Sequence, residues 1–128
     1  MPLNNHAISI ARVYSGKVRQ ESNRSPLVSV VVPYYQTPAE LLHQALESVP
    51  EGAGQSGGKL CEVIVIVDGA RGEDLASAKR TLARFPDCKV LFHKKNQGLA
   101  AARSSGVAAA SGRYIFFLDA DDRIAPSG

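Results

Sequence analysis

The sequence has no apolar run long enough to cross a bilayer, and its first residues lack the charged-then-apolar order of a signal peptide. We therefore expect a cytoplasmic protein, whose full-length form could lie at the inner face of the membrane. Only two cysteines occur, Cys61 and Cys88, each at the start of an apolar run. Without a secretory signal, we expect both to be buried, reduced thiols rather than a disulfide.

A basic binding face is also lacking. Residues 1–26 carry four basic side chains against one acidic side chain, which accounts for the whole formal charge of +3. The remainder is neutral, and no aromatic residues are interleaved with a basic cluster, as they often are in nucleic-acid-binding faces. We expect no nucleic-acid partner. Residues 1–26 are interpreted as a basic, irregular leader, in which only "AISIARVY" favours a strand.

Four apolar segments predict strands, and the first two, which are rich in β-branched residues, predict strands that are covered on both faces. They are residues 27–32, 61–67, 88–93 and 113–118. Amphipathic or alanine-rich segments between them predict helices at residues 37–49, 73–85 and 99–111. In the first helix we expect Thr37 at the N-cap, Pro38 at the first helical position and Glu40 completing a capping box.

The alternation of strands and helices over residues 27–128 predicts one α/β domain. Such βαβ units form a Rossmann-like three-layer sandwich around a mainly parallel sheet. Parallel strands end at the same edge, and ligands bind in the crevice there. We therefore expect a single site to be formed by the residues at the strand ends, which are Pro33, Tyr34, Tyr35, Asp68 and an aspartate cluster.

The segment "YIFFLDADDR", residues 114–123, brings an apolar strand directly to three carboxylates. If the strand continues, Asp119 and Asp121 project to the same side, roughly 7 Å apart. At an effective dielectric constant near 20 these charges repel by roughly 2 kcal/mol, and Asp122 adds to the repulsion. A divalent cation, Mg²⁺ or Mn²⁺, would offset this repulsion and keep positions open for phosphate oxygens. The alternative is an exposed acidic turn that caps a following helix.

Three segments, taken in order, resemble the family 2 glycosyltransferases, inverting enzymes of the GT-A fold that use nucleotide-sugar donors. They are "VSVVVPYYQTPAELLHQALESV", "VIVDGA" and "NQGLAAARSSGVAAASGRYIFFLDADD". The resemblance implies a GT-A fold, a UDP-linked sugar donor and a divalent cation, Mn²⁺ or Mg²⁺. The acceptor, whether saccharide, lipid or protein, is left open.

The resemblance also implies roles on the nucleoside side of such a site. Pro33 and Tyr35 would line the nucleoside pocket. Asp68 would accept a hydrogen bond from the base.

Further roles follow for the diphosphate side. Asn96 and Gly98 would border the donor, and Arg103 would face phosphate. Asp119 would lie near the ribose and the metal, while Asp121 would be the direct ligand of a metal that bridges the diphosphate. Such a cation stabilises the charge that develops on the leaving nucleoside diphosphate.

Other side chains near the strand ends are given structural interpretations. His93 is a lone histidine at a strand end, and we expect it to be exposed and non-catalytic. Tyr34 could equally pack with its hydroxyl at the surface or bind ligand, and Arg103 could instead pair with an acid on the helix face.

The three segments stop before the part that, in the family, binds the acceptor and supplies the carboxylate that removes its proton. No acid in this sequence matches that base. We therefore expect a truncated GT-A domain that binds the donor, contains no catalytic residue and is inactive alone. Its fourth strand would have an open edge and uncovered apolar side chains, so self-association through residues 114–118, by this strand or its apolar face, is expected.

Two alternatives remain. A phosphatase of the haloacid dehalogenase type also ends a buried strand in an Asp-x-Asp pair, and Asp119 would be its nucleophile. That pair normally follows the first strand, whereas here it follows the fourth. The other alternative is a nucleotide-binding module without catalysis.

Overall fold

The computed structural model describes residues 25–54 and 58–125, together with the backbone of Ile10–Arg12. The elements in chain order are β1 (Ile10–Arg12), β2 (Val28–Tyr34), α1 (Ala39–Glu47), β3 (Cys61–Asp68), α2 (Gly72–Leu82), β4 (Lys89–His93), α3 (Leu99–Ala109) and β5 (Tyr114–Phe117). Each predicted strand and helix is present, with ends shifted by a few residues. No helix in the described ranges has the length and apolar character needed to cross a membrane.

A five-stranded sheet in the order β1-β5-β2-β3-β4 forms the middle layer. The strands β5, β2, β3 and β4 are parallel, and β1 runs antiparallel to β5. Helices α1 and α2 pack on one face of the sheet, and α3 packs on the other. The predicted three-layer α/β sandwich with a mainly parallel sheet is confirmed.

The two central strands are buried on both faces, which explains their continuous runs of β-branched residues. On β2, Val30 and Val32 face α1 and α2, whereas Val31 faces α3. On β3, Ile64 and Ile66 face α3 in the same way. Alternate residues of each strand therefore contribute to two separate cores.

The predicted capping box at the start of α1 is wrong. Pro38 occupies the N-cap position, and no side chain forms a capping hydrogen bond there. The Thr37 hydroxyl instead donates to the Tyr35 carbonyl at 3.4 Å. This contact belongs to the turn that leaves β2, in which Gln36 adopts a φ of 56°.

The predicted open edge of the last strand is also wrong. Strand β1 pairs with β5, with Ile10 opposite Phe116 and Arg12 opposite Tyr114. A strand from within "AISIARVY" therefore occupies this edge, so the leader is not irregular throughout. The expected self-association through residues 114–118 loses the open edge on which it rested, while the rest of residues 1–24 lies outside the described residues.

Both cysteines are free, as expected, although they are half-buried rather than fully buried. Burial raises the pKa of the Cys61 thiol, and it raises the pKa of Cys88 to about 11. Both thiols are therefore protonated at neutral pH, and neither has the thiolate character of a reactive cysteine.

A polar cluster holds the end of α3 to the amino-terminal ends of the central strands. The buried Ser29 hydroxyl donates to Glu62 Oε2 at 2.5 Å and accepts from the Gly112 N–H at 2.8 Å. Glu62 also accepts from the Ser111 N–H at 2.6 Å and pairs with Lys89 at 3.0 Å. Burial works to raise the pKa of Glu62, but these hydrogen bonds outweigh it and lower that pKa below its ordinary value.

Helix α3 lies close to the sheet because Gly106 faces it. A Cβ atom at Gly106 would contact Val31 Cγ1 and would lie 3.0 Å from Ile66 Cδ1. The missing side chain therefore sets how closely the helix approaches β2 and β3. This approach matters for the site, since α3 carries Arg103.

We predict that Gly106→Ala lowers the free energy of unfolding by about 1–2 kcal/mol. Overpacking costs about 1–3 kcal/mol, and the close approach to Val31 favours the upper part of this range, which exceeds the gain of about 1 kcal/mol in helix propensity. Urea unfolding measures the difference. Ser104→Ala, at an exposed position of the same helix, gains propensity alone and should be slightly stabilising. A Gly106→Ala protein as stable as the wild type would contradict the close packing.

Candidate functional site

The predicted site residues surround one cavity of about 270 Å³ at the carboxyl ends of the parallel strands. Its lining includes Pro33, Tyr35, Asp68, Asn96, Gly98, Asp119 and Asp121. The remaining predicted residue, Arg103, lies beside the cavity with Nη2 3.8 Å from Asp119 Oδ1. The structure thus brings these residues together, as the parallel topology predicted. Two larger cavities in the described part of the chain contain none of them.

The end of β2 forms one wall of the cavity. Tyr34 is buried, and its hydroxyl donates to the Thr37 carbonyl at 2.6 Å. Of the two alternatives, packing and ligand binding, the structure favours packing. Tyr35 is 44% exposed and lines the cavity. Its ring is therefore available to a ligand, whereas Tyr34, which also borders the cavity, is only 2% exposed.

The acidic residues lie on a turn rather than on a continuing strand. Strand β5 ends at Phe117, and the Asp122 N–H donates to the Asp119 carbonyl at 2.9 Å. Asp119 and Asp121 therefore do not project from the same side of a continuing strand, which was the condition set from the sequence. The turn gathers carboxylate oxygens of Asp119, Asp121 and Asp122 within 4.8 Å of one another, so Asp122 joins the two predicted residues.

Arg103 faces this cluster from α3. Its guanidinium lies 5.2 Å from the centre of the Phe117 ring, and its Nη2 forms a long ion pair with Asp119. The acid that it meets is therefore one of the cluster, not a residue of its own helix face. Its Nε is buried and has no hydrogen-bond partner among the described residues. A buried donor without an acceptor is costly, so a shift of this side chain that brings Nε to a ligand oxygen would relieve the cost.

Asp68 is almost completely buried, and its carboxylate is fully engaged. Oδ1 accepts from His93 Nδ1 at 2.8 Å and from the Gln97 N–H at 2.9 Å. Oδ2 accepts from Asn96 Nδ2 and from the Gly98 N–H, both at 3.0 Å. Burial works to raise the pKa of Asp68, but the hydrogen bonds outweigh it and lower that pKa below its usual value. The residue is therefore an ionised anchor for the loop at residues 96–98.

The predicted contact of Asp68 with a base stays a prediction, and the geometry sets a condition on it. A carboxylate offers about four acceptor positions, and four donors already occupy those of Asp68. A base could therefore bind this carboxylate only by displacing one of them.

Gly69 allows the loop before α3 to pass directly over the end of β3. It has a φ of 86°, and a Cβ atom there would contact Asn96 N and lie 2.7 Å from Asn96 Cα. Its N–H donates to the His93 carbonyl at 3.0 Å. Backbone contacts at Gly69 and hydrogen bonds to the Asp68 carboxylate thus fix the position of the same loop.

The expectation that His93 is exposed is wrong. Its side chain is 11% exposed, and Nε2 lies 2.8 Å from Ser105 Oγ. Because an ionised carboxylate only accepts hydrogen bonds, Nδ1 of His93 carries a proton toward Asp68. Sequence reasoning missed this residue because its contact depends on the register that sets Asp68 beside His93, which no local pattern reveals.

We predict that Asp68→Asn lowers the free energy of unfolding by about 2–4 kcal/mol at neutral pH. The amide loses the charge and directs a donor at groups that also donate. Urea unfolding measures this loss, and Asp74→Asn, in the exposed first turn of α2, is the matched control with a small effect.

The loss should depend on pH with a defined sign. Since folding lowers the pKa of Asp68, its contribution is present above the unfolded value of about 3.9 and disappears as pH falls through the folded pKa. The difference between wild type and Asp68→Asn should therefore shrink below about pH 4. A difference that persists unchanged in acid would contradict the ionised anchor.

The fold is that of the GT-A glycosyltransferases. The chain is similar to the mannosyltransferase PcManGT of Pyrobaculum calidifontis, solved in complex with GDP-Man and Mn²⁺, with a TM-score of 0.60 and 22% identity over 80% of this chain and 29% of that one. It is also similar to residues 1–349 of S. aureus TarS, solved with and without UDP, with a TM-score of 0.57 and 25% identity over 77% of this chain and 28% of that one.

The sequence comparisons identify the family within this class. The Glycosyl transferase family 2 model matches residues 29–127, and the chain belongs to that family. An uncharacterized glycosyltransferase of Rickettsia bellii is 40% identical over 77% of this chain, and one of Haemophilus influenzae is 35% identical over 78%. The chain spans 13% and 38% of those two proteins, respectively. The resemblance of the three sequence segments is confirmed.

Proposed function

We propose that the described residues form the donor site of an inverting glycosyltransferase that uses a UDP-linked sugar and a divalent cation. The observation that carries this proposal is one cavity lined by an acidic turn and an exposed tyrosine, with an arginine beside it whose Nε lacks an acceptor. A nucleoside diphosphate has complementary parts, namely an aromatic base and two phosphates. The acceptor would be a saccharide, a lipid or a protein.

The acidic turn fits a divalent cation. Asp119, Asp121 and Asp122 offer hard oxygen ligands within 4.8 Å of one another, and Asp121 is exposed at the cavity. We assign Asp121 as the direct ligand, with Asp119 beside it. When bound, Mn²⁺ or Mg²⁺ would stabilise negative charge on the leaving diphosphate. The complex of PcManGT with GDP-Man and Mn²⁺ supports a divalent cation in such a site in general.

Arg103 is the positively charged side chain of the site. Its guanidinium lies over the Phe117 ring and forms a long ion pair with Asp119 at 3.8 Å. A phosphate oxygen would supply the acceptor that Nε lacks. We therefore assign Arg103 to the diphosphate, with Asn96 and Gly98 at the adjoining wall.

The nucleoside would occupy the side of the cavity formed by the end of β2. There Pro33 belongs to the strand, and Tyr35 exposes its ring. An exposed aromatic face suits contact with a planar base. The complexes of TarS with UDP and of PcManGT with GDP-Man support a nucleotide donor, and uracil is the base that we propose.

The described residues bind the donor but supply no general base. The acids of the cavity are Asp68, whose acceptor positions are all filled, and the carboxylates assigned to the cation. None of these is free to take the proton of an acceptor. Donor binding without transfer is therefore the activity proposed for this chain alone, and the phosphatase alternative finds no support in the comparisons.

We predict that UDP binds the chain in the presence of Mn²⁺ and that Asp121→Asn weakens this binding at least about tenfold, equivalent to about 1.4 kcal/mol. The loss should vanish with EDTA, since the carboxylate acts through the cation. Isothermal titration calorimetry measures both affinities, and GDP titrated in parallel reports the base preference.

Asp87→Asn is the matched control, because Asp87 is exposed near the amino-terminal ends of the strands and pairs with Lys59. It should bind UDP as the wild type does. Equal UDP affinity with and without Mn²⁺, or an unchanged affinity in Asp121→Asn, would reject the proposed site. Metal-dependent binding of UDP by a longer protein that transfers no sugar would favour the non-catalytic alternative.

A further inference from the structure

We propose that His93 is a positioning residue for the donor site, because it orients Asp68 and thereby fixes the loop at residues 96–98. The inference rests on the proposed function and adds a residue that does not line the cavity. Its basis is a continuous chain of hydrogen bonds from α3 to the loop. That chain runs from Ser105 through His93 to Asp68, and from there to Asn96, Gln97 and Gly98.

The geometry leaves the imidazole little freedom. Nδ1 lies 2.8 Å from Asp68 Oδ1, and Nε2 lies 2.8 Å from Ser105 Oγ. With the Nδ1 proton directed at the carboxylate, a neutral ring accepts at Nε2 from the serine hydroxyl. The side chains of His93 and Asp68 are 11% and 3% exposed, so water does not compete freely for these bonds. The two ends of the ring thus tie α3 to the carboxylate.

Apart from its backbone contact with Gly69, the loop has little packing of its own, so it needs such an anchor. Residues 94–97 are exposed, and Gly98 is only half-buried, with a φ of 95°. Three donors of this loop reach the same carboxylate, two from backbone N–H groups and one from the Asn96 amide. The direction of that carboxylate therefore decides where Asn96 and Gly98 lie at the cavity wall.

Serine, histidine and aspartate in this order also have the connectivity of a hydrolase triad. Ser105 lies in the middle of α3, where the neighbouring backbone N–H groups are used within the helix. It therefore has no pair of free N–H groups nearby to stabilise an oxyanion. These hydrogen bonds therefore position the loop and do not activate Ser105 as a nucleophile.

Three substitutions of His93 separate its two hydrogen bonds. Asn can place an amide donor near the Nδ1 position and keep the bond to Asp68, whereas Gln reaches toward Ser105 instead. Leu removes both bonds and keeps an apolar side chain of moderate size. His43→Asn, on α1 with Glu47 as its partner, is the matched control.

The first measurement is amide hydrogen exchange on the 128-residue chain, which requires no ligand. In His93→Leu and His93→Gln, the Gln97 and Gly98 amides should exchange about ten- to a hundredfold faster than in the wild type. In His93→Asn and His43→Asn they should stay within about threefold of it. Unchanged exchange at Ile64 and Ile66, in the core of β3, verifies that the fold is intact. Equal exchange in the Leu and wild-type chains, or in the Asn and Leu chains, would overturn the inference.

The second measurement is the affinity for UDP with Mn²⁺. It should fall about tenfold in His93→Leu and His93→Gln, and His93→Asn should restore most of it. A loop that opens without loss of affinity would overturn the positioning role. A wild-type chain that fails to bind UDP would count against the proposed function, and the exchange measurement would still decide whether His93 orients the loop.

Discussion

The buried charge of Asp68 is the constraint on which the site depends. A carboxylate that is 2% exposed is tolerated only if hydrogen bonds replace the water that it has lost. Here the replacement comes from a histidine on the next strand and from the loop that precedes α3. Satisfying the charge therefore requires the ends of β3 and β4 and the start of α3 to lie together. The cavity wall follows from an electrostatic requirement rather than from apolar packing.

At the opposite end of β3, a second carboxylate accepts hydrogen bonds in the same way. The residues of this strand that face α3 are Glu62, Ile64, Ile66 and Asp68, two apolar side chains between two carboxylates. Glu62 holds the residues that follow the helix, and Asp68 holds those that precede it. Between these two anchors, Gly106 lets the helix lie against β2 and β3. Helix α3 is thus held at both ends by carboxylates of β3 and packs along its middle against β2 and β3.

This arrangement supplies a rigid frame for more exposed groups. Arg103 is carried on the fixed helix, and the acidic turn follows β5, the neighbour of β2 in the sheet. Their oppositely charged groups approach within 3.8 Å and remain only partly satisfied by each other. Incomplete pairing at the surface of a well-satisfied core is what the proposed site for a cation and a diphosphate requires. A fully paired site would have to lose its own contacts before binding.

The sequence by itself determined the order of strands and helices, the two-sided burial of β2 and β3, and the edge at which Tyr35, Asp68 and Asp119 would meet. These follow from local patterns, since β-branched runs need cover on both faces and parallel strands share one carboxyl edge. The tertiary structure alone decided the burial of His93, the pairing of β1 with β5, the turn that gathers Asp122 with its neighbours and the loss of the expected cap at Thr37. Each of these depends on a partner distant in sequence or on the backbone path between elements, and a hydrogen bond such as that from Gln97 to Asp68 has no local signature.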